Sequence, residues 1–249
     1  MSGGSGTKYD TIGVDYAQLR KADRRIGGLI EDALGSAGTV LNVGAGAGSY
    51  EPRRSRVTAV EPSAHMIAQR PADAAGVVQA RAEYLPFADD AFDAAMAVLT
   101  VHHWSDLPLG LTEMRRVTRG PIVILTFDPE FHGFWLHDYL PGLAALDDEQ
   151  MPRMHDYGKW LADVEIKPVP VPHDCADGFL CAYWRRPQAY LDERIRAAIS
   201  SFWALGDIST QLDRLARDLA SGVWEQRYAD LLTFSELDCG YRLVIAGAA

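Results

Sequence analysis

Three glycines at alternate positions, Gly44, Gly46 and Gly48, follow directly on the apolar run Thr39-Val40-Leu41-Asn42-Val43, and a second apolar run, Val57-Thr58-Ala59-Val60, ends on the acid Glu61. Glycines let a ligand approach the backbone because no Cβ stands in the way. A carboxylate at the tip of the next strand can accept hydrogen bonds from both hydroxyls of a ribose. Loop and acid together describe a nucleoside pocket. A third, nearly all-apolar run from Phe92 to Val101 ends in His102 and His103, and imidazole is the side chain that exchanges a proton near neutral pH. His103 is the first candidate for a general base and His102 the second. The same His-His-Trp segment could instead pack the loop beneath the ligand, and both roles stay open at this point.

These groups converge only if they stand at the carboxyl ends of neighbouring parallel strands, where doubly wound sheets bind their ligands. The chain supplies the required alternation. Tyr9, Ile12, Tyr16 and Leu19 recur at helical spacing, and a second amphipathic stretch from Ile26 to Leu34 stops at Gly35. Strands are expected at 39–43, 56–61, 77–80, 92–101 and 122–127, with a helix capped by Ser63 and another opening near Ser105 or Asp106. Residues 164–171 alternate like a strand that Pro168 and Pro170 restrict to an edge. Residues 187–232 read as helical and 242–246 as a closing strand. The expected fold is α/β: a doubly wound, mostly parallel, seven-stranded Rossmann-like sheet with a helical substrate-capping insertion. The organisation that follows is a flexible tail over 1–7, a cofactor-binding core over 8–128, and an aromatic-rich lid over 129–249 whose last strands return to the sheet.

A formal charge of −10 on 249 residues argues against nucleic acid or an anionic membrane as partner, since both need a basic face. Arg53, Arg54 and Arg56 are the densest basic cluster and read as a solvated edge. Cys175, Cys181 and Cys239 are too scattered for a disulfide framework or a Cys-x-x-Cys metal site, which suits a reducing compartment. The first seven residues lack the basic and apolar regions of a signal peptide, and no apolar run approaches the roughly 20 residues that cross a bilayer. A cytoplasmic protein acting on a small molecule is expected, and nothing in the pattern specifies an oligomeric state. His132 and His137 with Asp138 lack a metal-ligand spacing, so no metal is expected.

The glycine loop discriminates among nucleoside ligands. A dinucleotide fingerprint needs glycine at its sixth position, where Ser49 stands, and no Gly-Lys-Ser/Thr follows to make a Walker loop. Through Val-Leu-Asn-Val-Gly-Ala-Gly-Ala-Gly-Ser, then Val-Glu-Pro-Ser-Ala-His-Met, then Ala-Glu-Tyr-Leu-Pro-Phe-Ala-Asp-Asp-Ala-Phe-Asp and the His-His-Trp after the fourth strand, residues 8–128 resemble the class I S-adenosyl-L-methionine-dependent methyltransferases, above all their small-molecule, ubiquinone-biosynthesis-like branch. The resemblance implies that Gly44, Gly46 and Gly48 line the methionine and ribose of S-adenosyl-L-methionine. It also implies that Glu61 takes the ribose hydroxyls, that Met66 flanks the adenine with Ala82 and Glu83 at its amine, and that Leu99 and Thr100 lie beside the sulfonium. Tyr9, Tyr16 and Arg20 would close over the site, Arg20 facing the cofactor's carboxylate. Two positions depart from the family's pattern. Asn42 stands where an acid is frequent, so it can bridge to the cofactor's amine but adds no charge, and Arg81 stands where relatives commonly have Asp.

Methyl transfer to oxygen or carbon also needs a proton removed from the acceptor. Besides His103 and His102, the residues Asp128, His132 and His137 after the fifth strand are secondary candidates. Phe131, Phe134, Trp135, Phe179, Tyr183, Trp184, Phe202 and Trp203 would form either ordinary core or a water-excluding lid that favours a flat or greasy acceptor. Arg185 and Arg186 could meet an acidic substrate or simply lie on the surface. The leading expectation is a methyltransferase acting on a small apolar or aromatic metabolite at oxygen, carbon or nitrogen, as in secondary metabolism. The alternatives are a methyltransferase fold that binds the cofactor without methyl transfer, as a binding module or for a reaction such as cyclisation, and an NAD-dependent oxidoreductase, which Ser49 opposes.

Overall fold

The structure, a computed structural model, describes residues 19–247. Tyr9 and Tyr16, expected on a first helix, lie outside the described residues. Helix α1 (Arg24–Leu34) is N-capped by Asp23, whose carboxylate accepts from the Arg25 backbone N–H, and it ends at Gly35 with φ 62°. The helix thus stops where the sequence places its end, at a positive φ that favours glycine. Ile26, Ile30 and Leu34, at spacings of four, are its buried face.

Strand β1 (Thr39–Val43) leads to β2 (Arg56–Val60), helix α2 (Ala64–Ala68), β3 (Gly76–Val78), β4 (Ala94–Val98), helix α3 (Leu107–Val117) and β5 (Ile122–Phe127). Helix α4 (Gly142–Gln150), α5 (Tyr157–Leu161), β6 (Val164–Pro168) and β7 (Val171–Pro172) follow. Helices α6 (Glu193–Ala197), α7 (Ser209–Ala220) and α8 (Val223–Arg227), then β8 (Glu236–Leu237) and β9 (Tyr241–Ala246), complete the chain. The main sheet has seven strands in the order β3-β2-β1-β4-β5-β9-β6. β1 to β5 pair in parallel, whereas β9 runs antiparallel to both β5 and β6. The chain winds outward from β1 to β3 and then returns to β4 on the other side of β1, which makes the β1/β4 boundary the topological switch point. The inner strands are buried along almost their whole length, as a sheet covered on both faces requires. β6, with Pro168 at its end, is the edge strand anticipated from its prolines.

Three elements differ from expectation. The strand expected over 164–171 ends at Pro168, and Val171 opens β7 in a separate two-stranded sheet with β8. β4 is confined to Ala94–Val98 rather than 92–101, because Leu99 takes φ 51° and the chain then winds into a 3-10 turn over Val101–His103. At its other end Asp93 turns its side chain to the backbone N–H and hydroxyl of Thr39 instead of extending the strand. Residues 187–232 are not continuous helix: a 3-10 turn over Pro187–Leu191 precedes α6, one over Ser200–Ala204 parts α6 from α7, and one over Ala229–Thr233 follows α8.

The segment 173–235 leaves β7 and returns through β8, and these two short strands pair antiparallel, Val171 opposite Leu237 and Pro172 opposite Glu236. Most of its aromatic residues are core. Trp184, Trp224 and Tyr190 are buried completely or nearly so, and the indole N–H of Trp135 donates to the Trp184 carbonyl at 2.8 Å while that of Trp184 donates to the Val171 carbonyl at 2.9 Å. Phe134, Phe179, Tyr183 and Phe202 join the same apolar cluster, and Trp203 is exposed. Large rings whose N–H groups find backbone carbonyls can be buried without a polar penalty. Among the described residues, no helix is long and apolar enough to cross a membrane.

Candidate active site

A cavity of about 450 Å³ opens at the carboxyl ends of β1, β2 and β4, beside the switch point and within the size range of small-molecule sites. Its floor is the loop after β1. Gly44 has φ 71°, and a Cβ there would stand 2.2 Å from the hydroxyl of Thr100 on the neighbouring loop, so only glycine fits. Glu61 joins this loop to the one after β2: one carboxylate oxygen accepts from the Gly46 N–H at 2.8 Å and the other from the Ser63 N–H at 2.9 Å. Ser63 in turn caps α2 by accepting from the Met66 N–H, as its sequence position suggests. That cap sets Met66 at the cavity wall.

Beneath the loop, Arg70 donates to the Gly46 carbonyl at 3.2 Å and to the Glu51 carboxylate at 2.6 Å. Glu51 also accepts from the Asn42 side-chain amide at 3.3 Å. A carboxylate can only accept, so this contact fixes the amide's orientation: nitrogen toward Glu51, carbonyl oxygen turned away from it. Asn42 itself lines the cavity.

The opposite wall comes from the segments after β3 and β4. One oxygen of Glu83 accepts from the Ser105 N–H and hydroxyl, each at 2.8 Å, and from the Asp106 N–H at 3.1 Å. Burial alone would push the Glu83 carboxyl up, but these hydrogen bonds outweigh it and hold it below the usual carboxylate range. Leu99, Thr100, His102, His103 and Trp104 reach the cavity from the turn that ends β4. The His103 N–H closes that turn on the Thr100 carbonyl at 2.9 Å, and the rings of His102 and His103 lie 3.8 Å apart. From the amino-terminal side, Arg20 lines the cavity and its Nε donates to Asp177 at 2.8 Å; the Tyr50 hydroxyl donates to the other oxygen of Asp177 at 2.9 Å. Gln150, at the end of α4, is the contribution of the segment between β5 and β6.

Of the residues singled out from sequence, Arg20, Asn42, Gly44, Gly46, Glu61, Met66, Ala82, Glu83, Leu99, His102 and His103 thus meet at one cavity. Gly48 does not line it: with φ 93° it turns the loop against Arg70, whose guanidinium would lie 3.2 Å from a Cβ. Tyr16 lies outside the described residues. The secondary candidates sit elsewhere. Asp128 pairs with Arg242 at 3.4 Å and His132 is exposed. His137 keeps both ring nitrogens buried without a hydrogen-bond partner, and burial lowers its pKa, with His132 adding to the effect and Asp138 opposing it. Arg185 donates to the Phe234 carbonyl and Arg186 to the carbonyls of Cys175 and Ala182, so neither faces the cavity. Among the described residues, no group of three or more His, Cys, Asp or Glu side chains could hold a metal ion. Ser49, read from sequence only as the residue that breaks the dinucleotide fingerprint, also lines the cavity, and Tyr50 and Gln150 are lining residues that sequence reasoning did not single out.

A family profile described as "Methyltransferase domain" matches residues 41–121, the stretch that supplies every lining residue of the cavity but Arg20 and Gln150. A solved structure of a putative methyltransferase from an antibiotic biosynthesis pathway of Anabaena variabilis is 34% identical, covers 92% of this chain and 99% of its own, and superposes with a TM-score of 0.85. The chain belongs to the class I S-adenosylmethionine-dependent methyltransferases. Two curated relatives match less than half of the chain. YafE of Escherichia coli (strain K12) is 33% identical over 115 residues, 43% of this chain and 56% of that protein. The malonyl-[acyl-carrier protein] O-methyltransferase of Erwinia pyrifoliae is 37% identical over 112 residues, 42% of this chain and 43% of that protein. The matched stretch therefore spans about half the length of these curated relatives. The cofactor of this methyltransferase is S-adenosylmethionine, and the cavity suits it by chemistry: it combines a cationic side chain, oriented acceptor oxygens and apolar walls, which match a carboxylate, an amine with ribose hydroxyls, and an adenine.

Proposed function

We propose that this chain transfers a methyl group from S-adenosylmethionine to a small organic acceptor. The observation that carries the reading is the convergence of Asn42, Glu61, Glu83 and Arg20 on one cavity at the switch point of the sheet. When bound, the cofactor supplies an electrophilic methyl group on sulfur. In this reading Glu61 receives the ribose hydroxyls while its two backbone contacts keep it pre-placed, and Met66 packs on the adenine. Glu83, anchored by Ser105 and Asp106, borders the adenine edge. The carbonyl of Asn42, aimed by Glu51, accepts from the ammonium, and Arg20 holds the carboxylate. Leu99 and Thr100 flank the reactive end, and His103 accepts the acceptor's proton.

The acceptor is proposed to be a small, largely apolar metabolite of secondary metabolism. The reading is supported by the formal charge of −10, which disfavours nucleic acid, and by the 34% identity to the Anabaena variabilis protein assigned to an antibiotic pathway. The bulky aromatics of the segment 173–235 add no flat acceptor slot, because their rings are spent on the core.

Calorimetric titration with S-adenosylhomocysteine, S-adenosylmethionine and NAD tests the cofactor assignment. Binding of the first two is expected, and binding of NAD alone would overturn it. Glu61→Ala should weaken S-adenosylhomocysteine at least tenfold. Labelled cofactor incubated with candidate acceptors tests transfer. If product forms at the normal rate in His103→Ala, the base is another group; if the cofactor binds but no acceptor ever takes label, the fold binds without transferring.

A further inference from the structure

The wall of the cavity nearest the amino-terminal segment is not self-supporting. Arg20 and Tyr50 both line the cavity, and both are held from outside it by the same side chain, Asp177, which lies 157 and 127 residues further along the chain. Asp177 belongs to the segment between β7 and β8. Its side chain is 0% exposed and that of Arg20 only 15% exposed. One carboxylate oxygen accepts from Arg20 Nε at 2.8 Å and from the Gly178 N–H at 2.7 Å, and the other accepts from the Tyr50 hydroxyl at 2.9 Å. Burial and the nearby Asp177 charge raise the Tyr50 phenol far above its ordinary range, so it stays protonated and donates.

The flanking residues draw the same two segments together. Arg25 donates to the Asp174 carboxylate at 2.7 Å, and the Ala176 N–H donates to the Asp23 carboxylate at 3.0 Å. At Gly178 a Cβ would stand 2.6 Å from the Leu19 carbonyl oxygen, so the approach of the two backbones admits only glycine. Residues 174–178 therefore form a strap across residues 19–25, fixed at several points along its length.

An unrestrained arginine would have to give up its rotamer freedom to meet a carboxylate in one geometry. A partner that already fixes its Nε removes most of that cost before the ligand arrives. We infer that Asp177 is a positioning residue for the amino-acid end of the cofactor: it holds Arg20 and Tyr50 at the cavity wall, so the segment between β7 and β8 sets the affinity for the ligand's carboxylate. The inference rests on the assignment of the cavity to S-adenosylmethionine.

The discriminating probes are S-adenosylhomocysteine and 5′-methylthioadenosine, which share the nucleoside and the thioether but differ in the amino-acid tail. Calorimetry on the full chain should show that Asp177→Asn weakens S-adenosylhomocysteine about tenfold or more and leaves methylthioadenosine within about twofold. Arg20→Ala should do the same, and the double variant should be no worse than Arg20→Ala alone. Equal weakening of both ligands, or no weakening of either, would overturn the inference. Should Asp177→Asn not fold, Asp177→Glu, which keeps the buried charge but moves it by one methylene away from the Arg20 Nε it holds, is expected to fold and to lose the tail-dependent affinity; retention of that affinity would be equally fatal. If the unaltered protein binds neither probe, the cofactor assignment itself is wrong, a result distinct from failure of the positioning role.

Discussion

Replacing Asp147 by Asn should stabilise the protein at alkaline pH and do little at acid pH. Asp147 lies in α4, is 5% exposed, and has a carboxylate oxygen buried with no hydrogen-bond partner. Burial pushes its pKa up from 3.8 to about 7, with the neighbouring charge of Asp148 adding to the effect. A carboxyl with a raised native pKa is favoured when protonated, so the folded state holds its proton over a window in which the unfolded chain has released it. Between about pH 4 and pH 7 the native state binds more protons than the unfolded state, and stability falls as pH rises. With 1.36 kcal/mol per decade of proton affinity, the cost of this one group is about 1.7 kcal/mol at pH 5 and about 4 kcal/mol at pH 8. The variant escapes the difference, roughly 2.5 kcal/mol. In a chain of this size that corresponds to a melting-temperature gain over the parent that grows by about 5 to 10 °C from pH 5 to pH 8. Thermal unfolding followed by circular dichroism on both proteins, at unit steps of pH, isolates the effect because every other titrating group is common to the two. A gap between the two melting temperatures that stays flat from pH 5 to pH 8 would refute the reasoning.

Gly44→Ala places a left-handed non-glycine residue against Thr100 and should cost about 1–2 kcal/mol in backbone strain alone, with S-adenosylhomocysteine affinity down at least tenfold by calorimetry; Thr100→Ala in that background should recover part of it. Asp23→Asn removes a charge that Arg25 chiefly holds in its ionised form against the opposing effect of burial, with the Ala176 and Arg25 N–H groups helping. Because the native pKa is depressed far below the ordinary range, the lost stability of about 1–3 kcal/mol should be fully visible at pH 7 and should narrow progressively as pH falls below about 4, where the unfolded carboxyl takes up its proton while the native one does not; a gap of the same size at pH 6 and at pH 2 would contradict this. Trp184→Ala empties a fully buried site and should cost about 3–5 kcal/mol in chemical denaturation, whereas a cost below 1 kcal/mol would mean that the aromatic cluster is not the core of its segment.

Local chemistry made much of the cofactor side readable in advance. A run of β-branched residues, glycines in left-handed conformation and an acid at a strand tip each state their role within a few residues, as do Gly35 at the end of α1 and Ser63 at the start of α2. What escaped is tertiary. Leu99 turns left-handed at the end of β4, although nothing in its type demands it. Glu51 and Arg70 support the glycine loop from below through contacts to Asn42 and Gly46, and no spacing rule links those positions. Asp177 is further still from its partners, and a lone acid in Cys-Ala-Asp-Gly reads as a turn. The aromatic stretch was legible as hydrophobic, but whether its rings face an acceptor or each other depends on carbonyls such as those of Val171 and Trp184, which a pattern does not locate.

The two-residue ladder between β7 and β8 bears on how enzymes of this kind diversify. A segment whose entrance and exit are hydrogen-bonded neighbours can be exchanged for another with little change in loop-closure entropy, so the pair Pro172 and Glu236 marks a natural graft junction. The strap from Asp174 to Gly178 lies just inside that junction. A chimera cut at the ladder would thus import a foreign segment and discard the residues that brace Arg20, whereas one cut after Phe179 would keep that brace. Recombination between relatives has reason to respect the second boundary rather than the first.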